Sequence, residues 1–243
     1  MAKENKVSSK IIAAARKLKI FDDSFVLILA ALVGLTGGYF AIAFRYLINN
    51  VTVLLGIMCE YTSFGIQYSA LYISKILPFY HSKGIAAFTE LQFVYIFLIP
   101  IIGLMLVAFI TNVFAKEAKG HGVPEVMSAV TRKGGIIRLR IVLVKMFVSA
   151  ITIGSGGSVG REGPIVHIGS AIGSVFGQYF KLSSSAVTVL VGCGAAAGIS
   201  ATFNAPIAGT LFASEVILRD IRITSVSPIL ISSLVAASVS RAY

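Results

Sequence analysis

Long apolar runs alternate along the chain with short basic or glycine-rich breaks, and that rhythm predicts its elements. A helix that crosses a bilayer needs about 20 mostly apolar residues. Phe25 to about Leu55 exceeds that length and predicts a tilted crossing. Phe93 to Ala115 predicts a second. The next apolar segments, 141–153 and 165–180, are too short to cross, and a glycine cluster separates them. Val187–Thr202 and Ile207–Leu218 read as another short pair, split by Asn204 and Pro206. A last span, 226–240, is rich in serine and alanine. Ahead of them, residues 10–19 read as a short basic amphipathic helix at a membrane surface. The pattern divides the chain into a cytoplasmic N-terminal segment, 1–23, and one transmembrane domain, 24–243, with no simple tandem repeat.

Broken apolar segments carry meaning of their own. Irregular backbone at membrane depth survives only where protein or a water cavity satisfies its polar groups. Interrupted helices also aim their positive N-terminal ends at the membrane middle, where an anion can sit.

Composition agrees with an all-α polytopic membrane protein. Of 243 residues, 56% are hydrophobic and 13% charged, and the mean hydropathy is +0.89. A soluble domain of this size cannot hide that much apolar surface. The formal net charge of +11 raises nucleic-acid binding as an alternative. The basic residues lie mainly between apolar runs, as in membrane-protein loops, so no nucleic-acid partner is expected.

Those charges also give an orientation. Residues 1–24 carry six, Lys3, Lys6, Lys10, Arg16, Lys17 and Lys19. Residues 116–145 carry seven, Lys116, Lys119, Arg132, Lys133, Arg138, Arg140 and Lys145, and Arg219 and Arg222 add two. Lys75, Lys83 and Lys181 are assigned to the opposite loops. The imbalance predicts a cytoplasmic N-terminus. Residues 1–24 lack the apolar core and small-residue cleavage site of a signal peptide. Cys59 and Cys193 share no metal or redox spacing and read as small buried hydrophobes.

Three motifs carry chemistry. The first runs from Gly154 through Gly160-Arg161-Glu162-Gly163-Pro164 to Gly169. Pro164 suits the first turn of a new helix. The free N–H groups of that turn, with the helix dipole, make an anion site. Glu162 falls in the same turn, where its carboxylate can occupy that site itself. A nucleotide-phosphate loop would need a Gly-Lys-Ser/Thr ending, which is lacking. A buried structural Arg161–Glu162 pair is a further alternative, disfavoured because adjacent helical residues do not face each other. An ionisable residue inside a membrane segment is a functional candidate by default.

The second motif, Lys119-Gly120-His121-Gly122-Val123-Pro124-Glu125, repeats the physics and predicts a short helix over about Val123–Val130. His121 can donate an imidazole N–H to an anion or be a packed, hydrogen-bonded side chain. The third motif, Gly192 to Gly209, places small residues at helical spacing and suits close helix packing. Its neighbour Glu215 is placed to pair with Arg219 at i,i+4 spacing.

Taken together, these motifs resemble the CLC family of chloride channels and proton–chloride antiporters, from about residue 24 to the C-terminus. Gly160-Arg161-Glu162-Gly163-Pro164 resembles the family's gating motif. Gly120-His121-Gly122-Val123-Pro124 resembles its first selectivity motif, and Gly194 to Glu215 resembles the helix pair that follows. The resemblance implies two inverted-topology halves per subunit, of which this chain matches the first, assembled as a homodimer in a lipid bilayer. It implies Glu162 as the gate. Anion would bind near Gly160, Arg161, Glu162, Gly163 and Pro164 on the outer side and Gly120 to Pro124 on the inner side. A C-terminal half would supply another anion-facing helix end and a pore tyrosine.

Two substitutions depart from the family pattern. His121 stands where a serine is usual. Val216 stands at the inner proton-glutamate position, with Glu215 one residue before it. The apolar Val216 favours channel-like, glutamate-gated anion permeation, with chloride as the transported ligand and no cofactor. The alternative is a proton–chloride antiporter, with protons as a second ligand. An intramembrane enzyme is disfavoured, since no His/Cys/Asp/Glu metal cluster or Ser–His–acid set is evident.

Overall fold

The computed structural model describes the backbone of residues 2–58, 85–114 and 122–243 except Ile221. Side chains are described for 24–55, 98–114 and 122–243 except 221 and 223. The described elements are helical: α1 (Ala2–Met58), α2 (Ile85–Phe114), α3 (Val123–Arg132), α4 (Arg140–Gly154), α5 (Glu162–Tyr179), α6 (Ser184–Phe203), α7 (Pro206–Phe212) and α8 (Ile223–Ala242). A π-helical turn, Ala213–Leu218, extends α7.

Local chemistry sets the boundaries. Ser183 opens α6, its side chain accepting the Ala186 N–H at 3.3 Å. Asn204 closes α6 in the left-handed region at φ 55°, a conformation this short polar residue tolerates. Pro206 then starts α7 where its missing N–H costs nothing.

Contacts fix the direction of each helix. Phe25 of α1 packs edge-on against Phe180 just after α5, with ring centroids 5.4 Å apart. Gln178 Nε2 donates to Ile137 O at 2.8 Å, so the α5–α6 junction sits beside the α3–α4 loop. At the opposite end, Arg45 of α1 reaches Ala201 of α6 and Ser240 of α8. Helices α1, α4, α6 and α8 therefore run one way, and α2 and α5 the other.

The core is the antiparallel α5–α6 pair. Gly169 and Gly194 approach so closely that a Cβ on either would strike the other's carbonyl, and a Cβ on Gly173 would strike Leu190 O. A Cβ on Gly198 would lie 2.7 Å from Ile165 O. The packing role expected of the Gly192–Gly209 stretch is therefore borne out. Ser200 and Ser232 bind it to α8, donating to Ser233 O at 2.7 Å and Cys193 O at 3.0 Å. Cys193 is fully buried, as expected, whereas Cys59 lies outside the described residues.

Four expectations change. First, α6 is not short: Ser184–Phe203 has 20 residues and is long and apolar enough to cross, as are Ser24–Leu55 and Thr224–Ala242. Its first residues, Ser184 and Ser185, are polar and fall outside the apolar run. Second, Lys181 lies at the same end as the basic α3–α4 loop and Phe25, not opposite them. The short α5 returns the chain to that end. Third, Lys145 is no loop charge: it is 4% exposed inside α4. Fourth, α1 continues through residues 10–24, so no separate surface helix precedes the span in the backbone.

Outward faces remain apolar: Ile102, Met105 and Phe109 of α2 are 61%, 68% and 63% exposed. Such faces suit lipid or further protein, not water.

Candidate functional site

Two helices begin side by side in the interior. Gly122 precedes α3 at φ 99°, a conformation glycine adopts without steric cost. A Cβ there would strike Gly163 O and come within 3.3 Å of His167 Cβ. The start of α3 thus rests on the first turn of α5. Each helix start leaves N–H groups without intrahelical partners and carries about half a positive charge. Ser174 fixes this pairing from below. Its hydroxyl donates to Gly135 O at 2.6 Å and accepts the Ile137 N–H at 2.8 Å, tying α5 to the α3–α4 loop.

Each beginning carries a carboxylate. Glu125 lies in the first turn of α3 and accepts the Gly122 N–H at 2.7 Å. Glu162 opens α5 and is exposed. Its carboxylate folds back over Gly160, where a Cβ would collide with Oε2. Gly160 is therefore required for this rotamer. The loop that delivers Glu162 is held by the Gly157 N–H on Thr152 O at 3.0 Å and the Val159 N–H on Gly157 O at 2.8 Å.

The structure brings Gly122, Val123 and Pro124 to the same place as Glu162, Gly163 and Pro164, with Gly160 and Arg161 at the approach. Gly120 and His121 lie outside the described residues. The buried Arg161–Glu162 pair does not form: both residues are exposed, and the Arg161 guanidinium sits over Phe203 instead, 5.8 Å from the ring centroid. Glu215 makes no ion pair with Arg219. The π-helical winding moves i,i+4 residues out of line, and Arg219 leaves the helix at φ 55°. Glu215 is exposed and Val216 half-buried. Beyond this segment Asp220 pairs with Arg222 at 2.7 Å, and that hydrogen bond pulls its carboxyl down to about 2.

Several other groups also border the site. Glu125 was legible as a capping carboxylate three residues after Gly122. His167, 2% exposed, faces Gly122, and its Nδ1 has no hydrogen-bond partner among the described residues; nor has Ser170 Oγ. Arg45 and Arg241 converge on Arg161 with no local signal of doing so.

Residues 103–243 match the family model for the voltage gated chloride channel. The chain belongs to that family, the CLC proteins. A protein of Ralstonia nicotianae provisionally named a ClcB-like chloride channel protein is 28% identical over 222 residues, 90% of this chain and 47% of the relative. The H(+)/Cl(-) exchange transporter ClcA of Vibrio vulnificus is 32% identical over 224 residues, 89% of this chain and 42% of its own. Among solved structures, a slow cyanobacterial Cl-/H+ antiporter superposes with a TM-score of 0.68 at 23% identity, covering 89% of this chain and 46% of that one. The CLC chain thus spans about half the length of these relatives. The CLC fold and its apolar crossing helices make this a membrane protein of that family.

Proposed function

We propose that this CLC chain forms the first half of a proton–chloride antiporter in which Glu162 is both gate and proton carrier. One observation carries the reading: Glu162 is exposed and without an ion pair at the first turn of α5, against the start of α3. Ionised, its carboxylate competes with chloride for the same positive helix ends. Protonated, it loses that charge and lets the anion pass, so anion and proton occupy the site in turn.

Relatives named exchange transporters and a solved neighbour named an antiporter favour coupling over the channel-like reading. Two further residues fit the scheme. His121, the residue before Gly122 in sequence, is assigned to the inner side by the family resemblance, and Glu215, exposed and unpaired, is the inner proton donor nearest Val216. A homodimer in the lipid bilayer, each subunit completed by a C-terminal half, would provide the third helix end. The half-buried, apolar Val216 keeps a channel-like reading as the second possibility.

The test is reconstitution of this chain with a C-terminal half in vesicles, recording chloride and pH together. Chloride moving down its gradient should drive protons uphill. Glu162→Gln should stop the protons and spare chloride flux. Chloride flux without proton movement in the parent would return the channel-like reading.

A further inference from the structure

Above the gate, at the end where α1, α6 and α8 meet, lies an open cleft of about 410 Å³. Arg45, Arg161 and Arg241 line it together with Phe203, Asn204 and Ser240. Among the described residues, no acidic side chain lines it. Glu162, next to Arg161 in sequence, folds over Gly160 instead.

Part of each arginine has a structural task. Arg45 Nη2 donates to Ala201 O at 3.3 Å and to Ser240 Oγ at 3.1 Å. Arg241 Nε donates to Asn204 Oδ1. Arg45 therefore caps the C-terminal end of α6, where cations are favoured, and Arg241 holds the side chain of Asn204, the residue that closes that helix. That end and the C-terminal end of α8 beside it supply only about one negative charge between them. Three guanidiniums exceed that by about two charges. A guanidinium has five donors, and the bonds named use one nitrogen of Arg45 and one of Arg241. The rest of each fork is already held in place by those bonds, which lowers the ordering cost of a ligand.

We infer that this cleft is an oxyanion site, separate from the gate, for a phosphate or sulfate group, either free in solution or on a lipid headgroup. Charge and shape both decide against a single chloride as its occupant. A doubly charged tetrahedral anion matches the excess charge, and its oxygens accept paired N–H donors from planar guanidiniums. The apolar ring of Phe203, 44% exposed in the lining, helps focus that field.

Thermal unfolding of the purified protein in detergent tests the site without measuring transport. Sodium sulfate or phosphate should raise the midpoint above sodium chloride at matched ionic strength. The Arg45→Gln/Arg241→Gln protein should need about tenfold or more sulfate for the same shift, since each charge-assisted bond is worth at least a tenfold step. If that protein does not fold, Arg45→Lys/Arg241→Lys keeps the charge but loses the fork and should still bind sulfate more weakly. Adding phosphatidylglycerol to phosphatidylcholine–detergent micelles separates the two sources: loss of the sulfate shift assigns the site to a headgroup, persistence to a free oxyanion. Equal stabilisation by chloride and sulfate in lipid-free detergent, or an unchanged response in the substituted proteins, would overturn the proposal.

Discussion

Helices α3 and α5 start from the same ingredients and end in different states. Each has glycine before it, proline in its first turn and a carboxylate close by. In α3 the carboxylate of Glu125 is spent on its own helix, accepting the Gly122 N–H. In α5 the carboxylate of Glu162 turns away over Gly160 and stays exposed. Position within the turn makes the difference. Glu125 is the third helical residue, from which a side chain reaches back to the cap. Glu162 is the first, and from there it points off the helix end. One carboxylate stabilises a helix start; the other is available to compete for it.

The largest expected effect removes the site altogether. Two helix ends supply about one positive charge between them, and the broken helices need cover at membrane depth. Residues 1–243 alone should therefore give no selective chloride flux in vesicles, and flux should return with a C-terminal half. Selective flux from this chain alone, with a pH response that Glu162→Gln flattens, would show that two beginnings suffice.

Next comes the division of labour between the carboxylates. In the complete protein, flux should rise as pH falls, because protonation removes the negative charge of Glu162 from the anion path. Glu162→Gln should flatten that response. Glu125→Gln should keep it and cost well under about 1 kcal/mol of stability, since glutamine also caps from this position and only a charge near the helix start is lost. A flattened response in Glu125→Gln as well would erase the distinction between the two helix starts.

A smaller change probes Gly160. Gly160→Val should displace the Glu162 carboxylate without removing its charge and so lower flux. Unchanged flux would mean that the rotamer over Gly160 plays no part. His121→Ser should act more gently, retaining transport and reordering chloride, nitrate and bromide. An identical order would assign His121 to packing.

The smallest effect lies outside the site. Asp220 is held near 2, below its ordinary 3.8, by Arg222. Its contribution to stability is present above pH 3.8 and is lost as pH falls toward 2. Asp220→Asn should therefore lower the melting midpoint slightly at neutral pH and leave it unchanged near pH 2. The pair is exposed, so the shift is small; equal midpoints at both values would remove even that contribution.

By itself the sequence determined what depends on near neighbours. Apolar run length set the spans at Phe25–Leu55 and 226–240. Glycine followed by proline set the starts of α3 and α5, and small residues every few positions set the α5–α6 contact. Tertiary structure decided what depends on distant packing. It buried Lys145, which reads locally as one more loop charge. It turned Lys181 toward the basic loops, because α5 descends from the interior instead of crossing. The π-helical winding after α7 separated Glu215 from Arg219, against ordinary helical spacing. It also gathered Arg45, Arg161 and Arg241 around one cleft. A helix's own residues fix its period and its ends, but which side chains meet across helices follows from how the whole bundle packs.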